Sequence, residues 1–138
     1  MVQGQESKDR EDSTGEAGER EQLKILVCGG RDFRDKEFVF YALDRINPDI
    51  VVHGGARGAD SLAGEWCQAR GKEERVYPAR WNIHGKVAGP LRNREMLKEE
   101  LDGLDGVIAF PGGNGTRDMV SIAKKALPPK SVFVLQRR

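Results

Sequence analysis

Cysteines and long hydrophobic runs are scarce in this chain of 138 residues. Its two cysteines, Cys28 and Cys67, form no C-x-x-C pair. They are too few for a disulfide framework, so we expect free, buried thiols in a reducing compartment. No apolar run reaches the length of about 18 residues that a membrane span requires, and the N-terminus lacks the basic-then-apolar pattern of a secretory signal. We therefore expect a cytoplasmic protein with no membrane partner.

Several motifs of well-known nucleotide and metal sites are also missing. The dinucleotide fingerprint G-x-G-x-x-G does not follow the first predicted strand, and the Walker pattern G-x-x-x-x-G-K-[ST] is absent. A standard NAD enzyme and an ATPase of the Walker class are therefore disfavoured. No cluster of His, Cys, Asp or Glu has metal-ligand spacing, so we predict neither a metal ion nor a cofactor.

The charge of the chain is unevenly distributed. Residues 1–22 hold seven acidic and three basic residues and few apolar ones, so they cannot bury enough surface to offset the entropy of ordering. We predict a disordered charged tail over residues 1–22 and one domain over residues 23–138. That domain holds 15 acidic and 20 basic residues, an excess that suits an anionic ligand and is too small to indicate nucleic acid.

Short apolar segments alternate with helical periodicity along the predicted domain. The continuous, Val- and Ile-rich segments are typical of strands that are buried on both faces of a parallel sheet. They are Ile25–Cys28, Ile50–Val52, Val107–Phe110 and Val132–Leu135, with a weaker candidate at Arg75–Tyr77. This alternation predicts an α/β fold, a Rossmann-like open parallel sheet of about five strands with helices on both faces.

Four predicted helices occupy the intervals between these strands. Gly71 is a plausible stop for the second helix, Pro90 suits the first turn of the third, and Pro128 ends the fourth. The apolar faces are Phe38, Val39, Ala42, Leu43 and Ile46; Ala59, Leu62, Ala63 and Trp66; Met96, Leu97 and Leu101; and Met119, Ile122, Ala123, Ala126 and Leu127.

Three glycine-rich segments follow the first, second and fourth predicted strands. In an open α/β sheet, ligands bind at the carboxyl ends of the strands, which share one edge. Glycine lets the backbone approach a phosphate closely, and free N–H groups at a helix start attract anions. We therefore predict an anionic ligand there. The candidate residues are Gly29, Gly30, Arg31 and Asp32; Gly54, Gly55, Ala56, Arg57, Gly58 and Asp60; and Gly112, Gly113, Asn114, Gly115 and Thr116.

Individual side chains in these segments suit particular contacts. Arg57 offers a charge-assisted contact to a phosphate, and Thr116 suits either an N-cap or a phosphate contact through its hydroxyl. Asp32 and Asp60 are candidates for binding ribose hydroxyls, because a carboxylate accepts such bonds well. We interpret His53, at a strand end, as part of the wall of the site.

A long polar and basic stretch, residues 81–96, leads into the third predicted helix. Arg92 and Arg94 fall in its first turns, where a cation opposes the helix dipole. That unfavourable placement suggests an anionic partner. Trp81 either stacks on a base or serves as a core or hinge residue.

Four ordered motifs, LVCGGRDF, VVHGGARGADSLAGEW, GPLRNREM and IAFPGGNGTRDM, resemble the YspA-like, cpYpsA-related branch of the SLOG superfamily. The resemblance extends from Leu23 to the C-terminus. It implies a Rossmann-like domain that binds a nucleotide or a nucleotide-derived small molecule. Relatives are commonly dimers, and some are carried by phages or lie near defence genes, so the resemblance also implies a homodimer or higher homo-oligomer.

Within the superfamily, the fourth motif is similar to P-G-G-x-G-T-x-x-E of the Lonely Guy phosphoribohydrolases. Residues 111–116 follow that pattern, whereas Met119 stands at the Glu position and Asp118 precedes it. The catalytic arginine of that family corresponds to Arg92. The resemblance therefore implies a retained phosphate cradle and a displaced carboxylate. If the chain cleaves the N-glycosidic bond of a nucleoside monophosphate, Arg92 and Asp118 are its candidate catalytic residues.

A second relative, the DNA-processing protein DprA, shows elements similar to Gly54–Asp60 and Arg92–Arg94. That family binds single-stranded DNA, but here the basic excess is small and aromatic residues make up 7% of the chain, too few for a stacking platform. Nucleic acid is therefore possible as a partner and not favoured. Our first hypothesis is a binding or sensing module for a nucleotide-derived phosphorylated ligand, with the hydrolase and the DNA binder as alternatives.

Overall fold

The computed structural model describes residues 22–137, so nearly all of the predicted tail lies outside the described residues. Five parallel strands form one sheet in the order β3-β2-β1-β4-β5. This arrangement confirms the prediction of a Rossmann-like α/β fold. The strands are β1 Lys24–Cys28, β2 Ile50–His53, β3 Glu73–Val76, β4 Gly106–Ala109 and β5 Val132–Val134.

Helices connect each strand to the next. They are α1 Lys36–Ile46, α2 Ala59–Arg70, α3 Trp81–His84, α4 Ala88–Glu100 and α5 Asn114–Ala126, with 3-10 turns at Gly85–Val87 and Pro129–Ser131. Between residues 22 and 137, none of them has the length and apolar character to cross a bilayer.

Local sequence signals account for several of the helix ends. The Asp35 carboxylate accepts a hydrogen bond of 3.2 Å from the N–H of Phe38 and so caps the start of α1. Helix α1 ends at Asn47, which has φ 53°. Helix α2 ends at Gly71, as predicted, with φ 68°. Both residues adopt the left-handed conformation that closes many helices.

The sheet is covered by apolar layers on both faces, which explains the continuous apolar runs. Along β1, Val27 packs in the layer with Leu43 and Trp66 on the α1 and α2 side. Its neighbour Leu26 packs in the opposite layer with Met96, on the α4 and α5 side. Each fully buried side chain of this size contributes about 1.5–3 kcal/mol to folding.

The end of α4 differs from the sequence-based prediction. Leu101 was expected on the apolar face of this helix, but the helix ends at Glu100 and Leu101 is exposed. Glu100 takes the buried position instead, because it accepts hydrogen bonds from Lys24 Nζ at 2.9 Å and from the Tyr77 hydroxyl at 2.6 Å. A buried charge is tolerated when it is paired in this way. The prediction for Leu101 was therefore wrong.

Candidate functional site

Backbone hydrogen bonds join the three glycine-rich loops at the carboxyl edge of the sheet. The N–H of Gly30, after β1, donates to the carbonyl of Pro111, after β4, at 2.9 Å. The carbonyl of Gly30 accepts from the N–H of Ala59, at the start of α2, at 3.1 Å. The first loop is therefore fixed between the other two, and all three gather at one place.

Two of the glycines are needed for this close approach. A Cβ on Gly30 would lie 2.9 Å from the carbonyl oxygen of Pro111. Gly58 has φ 83°, and a Cβ there would collide with the carbonyl of Gly30. A side chain would separate the loops at either position, so these glycines serve the packing of one loop against another.

Two adjoining cavities open at this edge. The main cavity has a volume of about 490 Å³, and the side cavity has a volume of about 370 Å³. Their common wall consists of Arg31, Ala56, Trp81 and Arg92. The predicted site residues that line only the main cavity are Gly29, Gly30, Asp60, Gly113, Asn114, Gly115, Thr116 and Asp118. Those that line only the side cavity are Gly54, Gly55 and Arg57.

The start of α5 presents unsatisfied backbone N–H groups to the main cavity. Its N-cap is Gly113, and no side chain caps the helix from within the described residues. The N–H groups of Asn114, Gly115 and Thr116 have no acceptor inside the helix, since they belong to its first turn. Thr116 is thus the third residue of α5 and not the N-cap suggested by the sequence. The helix dipole adds a partial positive charge at this point.

The amides of the second loop are already engaged within the protein. Asp60 Oδ2 accepts hydrogen bonds from the N–H groups of Gly54 and Ala56, each at 3.2 Å. The N–H of Gly55 donates to Nδ1 of His53 at 3.0 Å. Burial raises the pKa of the Asp60 carboxyl, and the hydrogen bonds from Ala56 and Gly54 oppose that shift. These three N–H groups are therefore not free for an anion, in contrast to those at the start of α5.

His53 supports the second loop from beneath. Because Nδ1 accepts from Gly55, Nε2 carries the proton, and it donates to Glu74 Oε2 at 2.6 Å. The imidazole is buried, with 3% of the residue exposed, and both ring nitrogens are satisfied. His53 lines neither cavity, however, so the prediction that it forms part of the wall of the site was wrong, and it supports the second loop instead.

Arg92 clamps two loops together. Its Nη1 donates to the carbonyl of Gly54 at 2.6 Å and to the carbonyl of Tyr77 at 3.2 Å. Its Nε donates to Asn93 Oδ1 at 3.1 Å. Burial lowers the pKa of the guanidinium, while Asp60 opposes that shift. The arginine therefore combines a structural role with a place in the wall of both cavities.

Asn93 is a buried polar residue in the wall of the main cavity that the sequence analysis did not single out. Its Nδ2 donates to the carbonyl of Gly115 at 3.3 Å and to Asp118 Oδ2 at 3.0 Å. Together with its bond to Arg92, these contacts link both candidate catalytic residues. A signal was available, because Asn93 lies three and four residues before Met96 and Leu97, on the buried face of α4.

Asp118 lies on the cavity side of α5, whereas the next residue lies in the core. Its carboxylate faces Arg94, with Nη1 to Oδ2 at 3.4 Å and Nη2 to Oδ1 at 3.5 Å. Met119, which stands where the Lonely Guy motif has Glu, is fully buried beneath the helix. One residue corresponds to a rotation of roughly 100° around a helix. The only carboxylate that this stretch of α5 offers to the cavity is therefore that of Asp118.

Other predicted residues lie at or beyond the mouth of the site. The Arg31 guanidinium stacks over Trp81, 4.8 Å from the ring centroid. Arg57 forms an exposed ion pair of 3.3 Å with Asp32. The predicted residues that line neither cavity are Asp32, Gly58, Arg94 and Gly112.

Several kinds of chemical group line the main cavity. Among residues 22–137, no group of three His, Cys, Asp or Glu side chains is arranged to hold a metal ion. Cys28 lines the cavity, but burial raises the pKa of its thiol to about 12. A thiol with that pKa is a poor nucleophile near neutral pH. Backbone N–H groups, guanidinium groups, the Lys86 ammonium group and the Asp118 carboxylate are among the groups available to a ligand.

Comparison with known proteins identifies the family. The family model described as YspA, cpYpsA-related SLOG family matches residues 23–84. The Gene 61 protein of Mycobacterium phage D29 is 39% identical over 115 residues, which cover 75% of this chain and 90% of that protein. The fold and the site define an α/β protein of the SLOG type. The chain belongs to the YspA, cpYpsA-related SLOG family, and this membership indicates a nucleotide-related binding or processing role.

Proposed function

We propose that this protein binds a nucleotide or nucleotide-derived phosphorylated ligand in the main cavity and acts as a binding or sensing module. The observation that carries the proposal is the convergence of three glycine-rich loops around a cavity of about 490 Å³ that the first turn of α5 faces. Cavities of about 300–1,000 Å³ are the usual size of small-molecule sites.

The first turn of α5 is the proposed phosphate position. The N–H groups of Asn114, Gly115 and Thr116 can each donate to a phosphate oxygen, and the helix dipole favours a negative charge there. A Cβ on Gly113 or Gly115 would meet no protein atom within 4 Å. The backbone at these two glycines is therefore open to a ligand.

Arg31 is the proposed mobile cation of the site. Its guanidinium lies in the wall of the main cavity, where Trp81 is its contact. Lys86 lines the same cavity. Both side chains can neutralise a phosphate without disrupting the loop bonds described above. Arg92 contributes its charge from a fixed position.

A thermal-shift screen of nucleotides tests this proposal, because a ligand that binds only the folded state raises the melting temperature. The screen covers the nucleoside monophosphates, their cyclic forms and nucleoside diphosphate sugars. We expect at least one of them to stabilise the wild-type protein. The absence of stabilisation by every member would contradict the proposal.

Two arginine variants locate the binding site within the protein. Arg45 also stacks on an exposed ring, that of Tyr41, at 5.7 Å from the centroid, but it lines neither cavity. Arg31→Ala should reduce the ligand-induced shift, whereas Arg45→Ala should leave it unchanged. Equal effects of the two substitutions would place the ligand outside the main cavity.

Hydrolysis of a nucleoside monophosphate is the second candidate function. It is favoured by the Asp118 carboxylate in the cavity and by its link through Asn93 to Arg92. In this reaction water adds to C1′ of the ribose, the N-glycosidic bond breaks, and the base leaves with a proton. Asp118 is placed to orient the water or to stabilise positive charge that develops at C1′.

Chromatography of AMP incubated with the protein tests this second function. Release of adenine and ribose 5-phosphate supports hydrolysis, and its absence leaves binding as the function. If release occurs, Asp118→Asn should abolish it. The control variant Asp32→Asn removes an exposed carboxylate outside both cavities and should keep full activity. Full activity of Asp118→Asn would exclude the proposed role of its carboxylate.

A further inference from the structure

The main and side cavities share a wall in which one side-chain contact is weak. This wall contains the stack of Arg31 on Trp81. Trp81 keeps 46% of its surface exposed, and the Arg31 guanidinium forms no hydrogen bond with residues 22–137. Such a pair is held by one cation–π contact, which at an exposed site contributes about 0.5–1 kcal/mol. A ligand can therefore replace it at small cost.

The side cavity has the chemistry of a second subsite for the same ligand. Its lining contains Arg57, the apolar side chains of Pro78 and Ala79, and Trp81. None of its lining residues is acidic. A sugar or a nucleoside attached to a phosphate suits such a surface, because a sugar ring or a base can pack against Trp81 and the arginines offer charge.

We propose that the ligand is a nucleoside diphosphate that carries a second sugar or nucleoside, and that it occupies both cavities at once. This inference rests on the proposed function, which requires only the main cavity. The first phosphate lies at the start of α5. The second phosphate lies at the common wall, beside Arg31 and Arg92, and its attached group enters the side cavity. Binding turns Arg31 from the Trp81 ring toward the diphosphate.

Paired ligands separate the two proposals in one calorimetric experiment. Each pair holds a nucleoside monophosphate and an extended diphosphate of the same nucleoside: AMP with ADP-ribose, GMP with GDP-mannose, UMP with UDP-glucose, and CMP with CDP-glucose. For the preferred base, we expect the extended member to bind at least about tenfold more tightly, a difference of about 1.4 kcal/mol. Equal affinity within the pair would overturn the two-cavity inference and leave the proposed function standing. Binding by no member would overturn both.

Substitutions of Ala79 provide the matched control within the side cavity. Ala79→Leu fills part of the side cavity, whereas Ala79→Ser changes its volume little. We expect Ala79→Leu to weaken the extended ligand about tenfold and to leave the monophosphate unchanged, and Ala79→Ser to leave both unchanged. If Ala79→Leu weakens the monophosphate as much as the extended ligand, the two cavities are not separate subsites.

Tryptophan fluorescence supplies an independent readout of the wall. The chain has two tryptophans, and Trp66 is fully buried with its Nε1 bonded to Asp44. We expect the extended ligand to change the emission of the wild-type protein and the change to disappear in Trp81→Phe. The monophosphate should produce a smaller change, since it does not enter the side cavity beside Trp81. An extended ligand that binds without altering the emission would contradict the displacement of Arg31.

Discussion

Replacement of Arg92 by alanine should destabilise the fold, although the sequence marked this residue for ligand contact or catalysis. The guanidinium makes three hydrogen bonds, to the carbonyls of Gly54 and Tyr77 and to Asn93 Oδ1. A hydrogen bond to a charged group contributes about 1.5–3 kcal/mol. Two of the three share Nη1, and water can reach the cavity wall, so the contributions are not additive. We expect a loss of about 2–4 kcal/mol in the free energy of unfolding.

Urea denaturation followed by circular dichroism measures this loss, and thermal denaturation should show a decrease of roughly 5–20 °C in Tm. Arg45→Ala is the control, since an exposed arginine outside the site should change stability by less than about 0.5 kcal/mol. Arg92→Lys keeps the charge but loses the planar fork of donors, so it should recover only part of the stability. If Arg92→Ala is as stable as the wild type, the hydrogen bonds of Arg92 do not stabilise the contact between the two loops.

Three further predictions concern backbone strain, pH and thiol reactivity. Gly71→Ala should lower the free energy of unfolding by about 1–2 kcal/mol, because of the left-handed backbone alone. Gly58→Ala should lower it further in urea denaturation, because the added methyl group also collides with the neighbouring loop. Hydrogen bonds from Arg70 and, second, from Trp66 lower the pKa of Asp44 from 3.8 to about 2. The contribution of Asp44 to stability should therefore be fully present above pH 3.8 and lost as the pH falls through about 2. The free energies of unfolding of the wild type and of Asp44→Asn should then converge at the acid end. Cys28 should resist iodoacetamide in the folded protein at neutral pH and react fully in denaturant. Labelling of Cys28 in the native protein would contradict the structure. An equal loss of unfolding free energy in Gly71→Ala and Gly58→Ala would contradict it as well.

The sheet and most helices could be predicted from the sequence because their signals are local. The runs of Val and Ile in β1, β2 and β4 require burial on both faces, which only a central parallel strand provides. Gly71 marks the end of α2 by its conformational freedom alone. The end of α4 could not be predicted in this way, because the burial of Glu100 depends on partners from distant segments, Lys24 and Tyr77.

The candidate site could be predicted in position and less well in detail. The parallel fold alone brings the three glycine-rich loops to one edge. It does not reveal which backbone N–H groups are free, and those of Gly54 and Ala56 are bonded to Asp60 in the first turn of α2. The link from Asn93 to Asp118 crosses from α4 to α5, and no periodicity within one helix specifies such a pair.

An NMR titration of amide chemical shifts tests the central claim most directly, since each backbone N–H is observed separately. On addition of the tightest-binding nucleotide from the screen, we predict that the largest shifts belong to the N–H groups of Asn114, Gly115 and Thr116. The engaged amides of Gly54 and Ala56 should shift less. If the nucleotide saturates the protein but the largest shifts lie outside the first turn of α5, the claim that the phosphate binds at this turn is wrong.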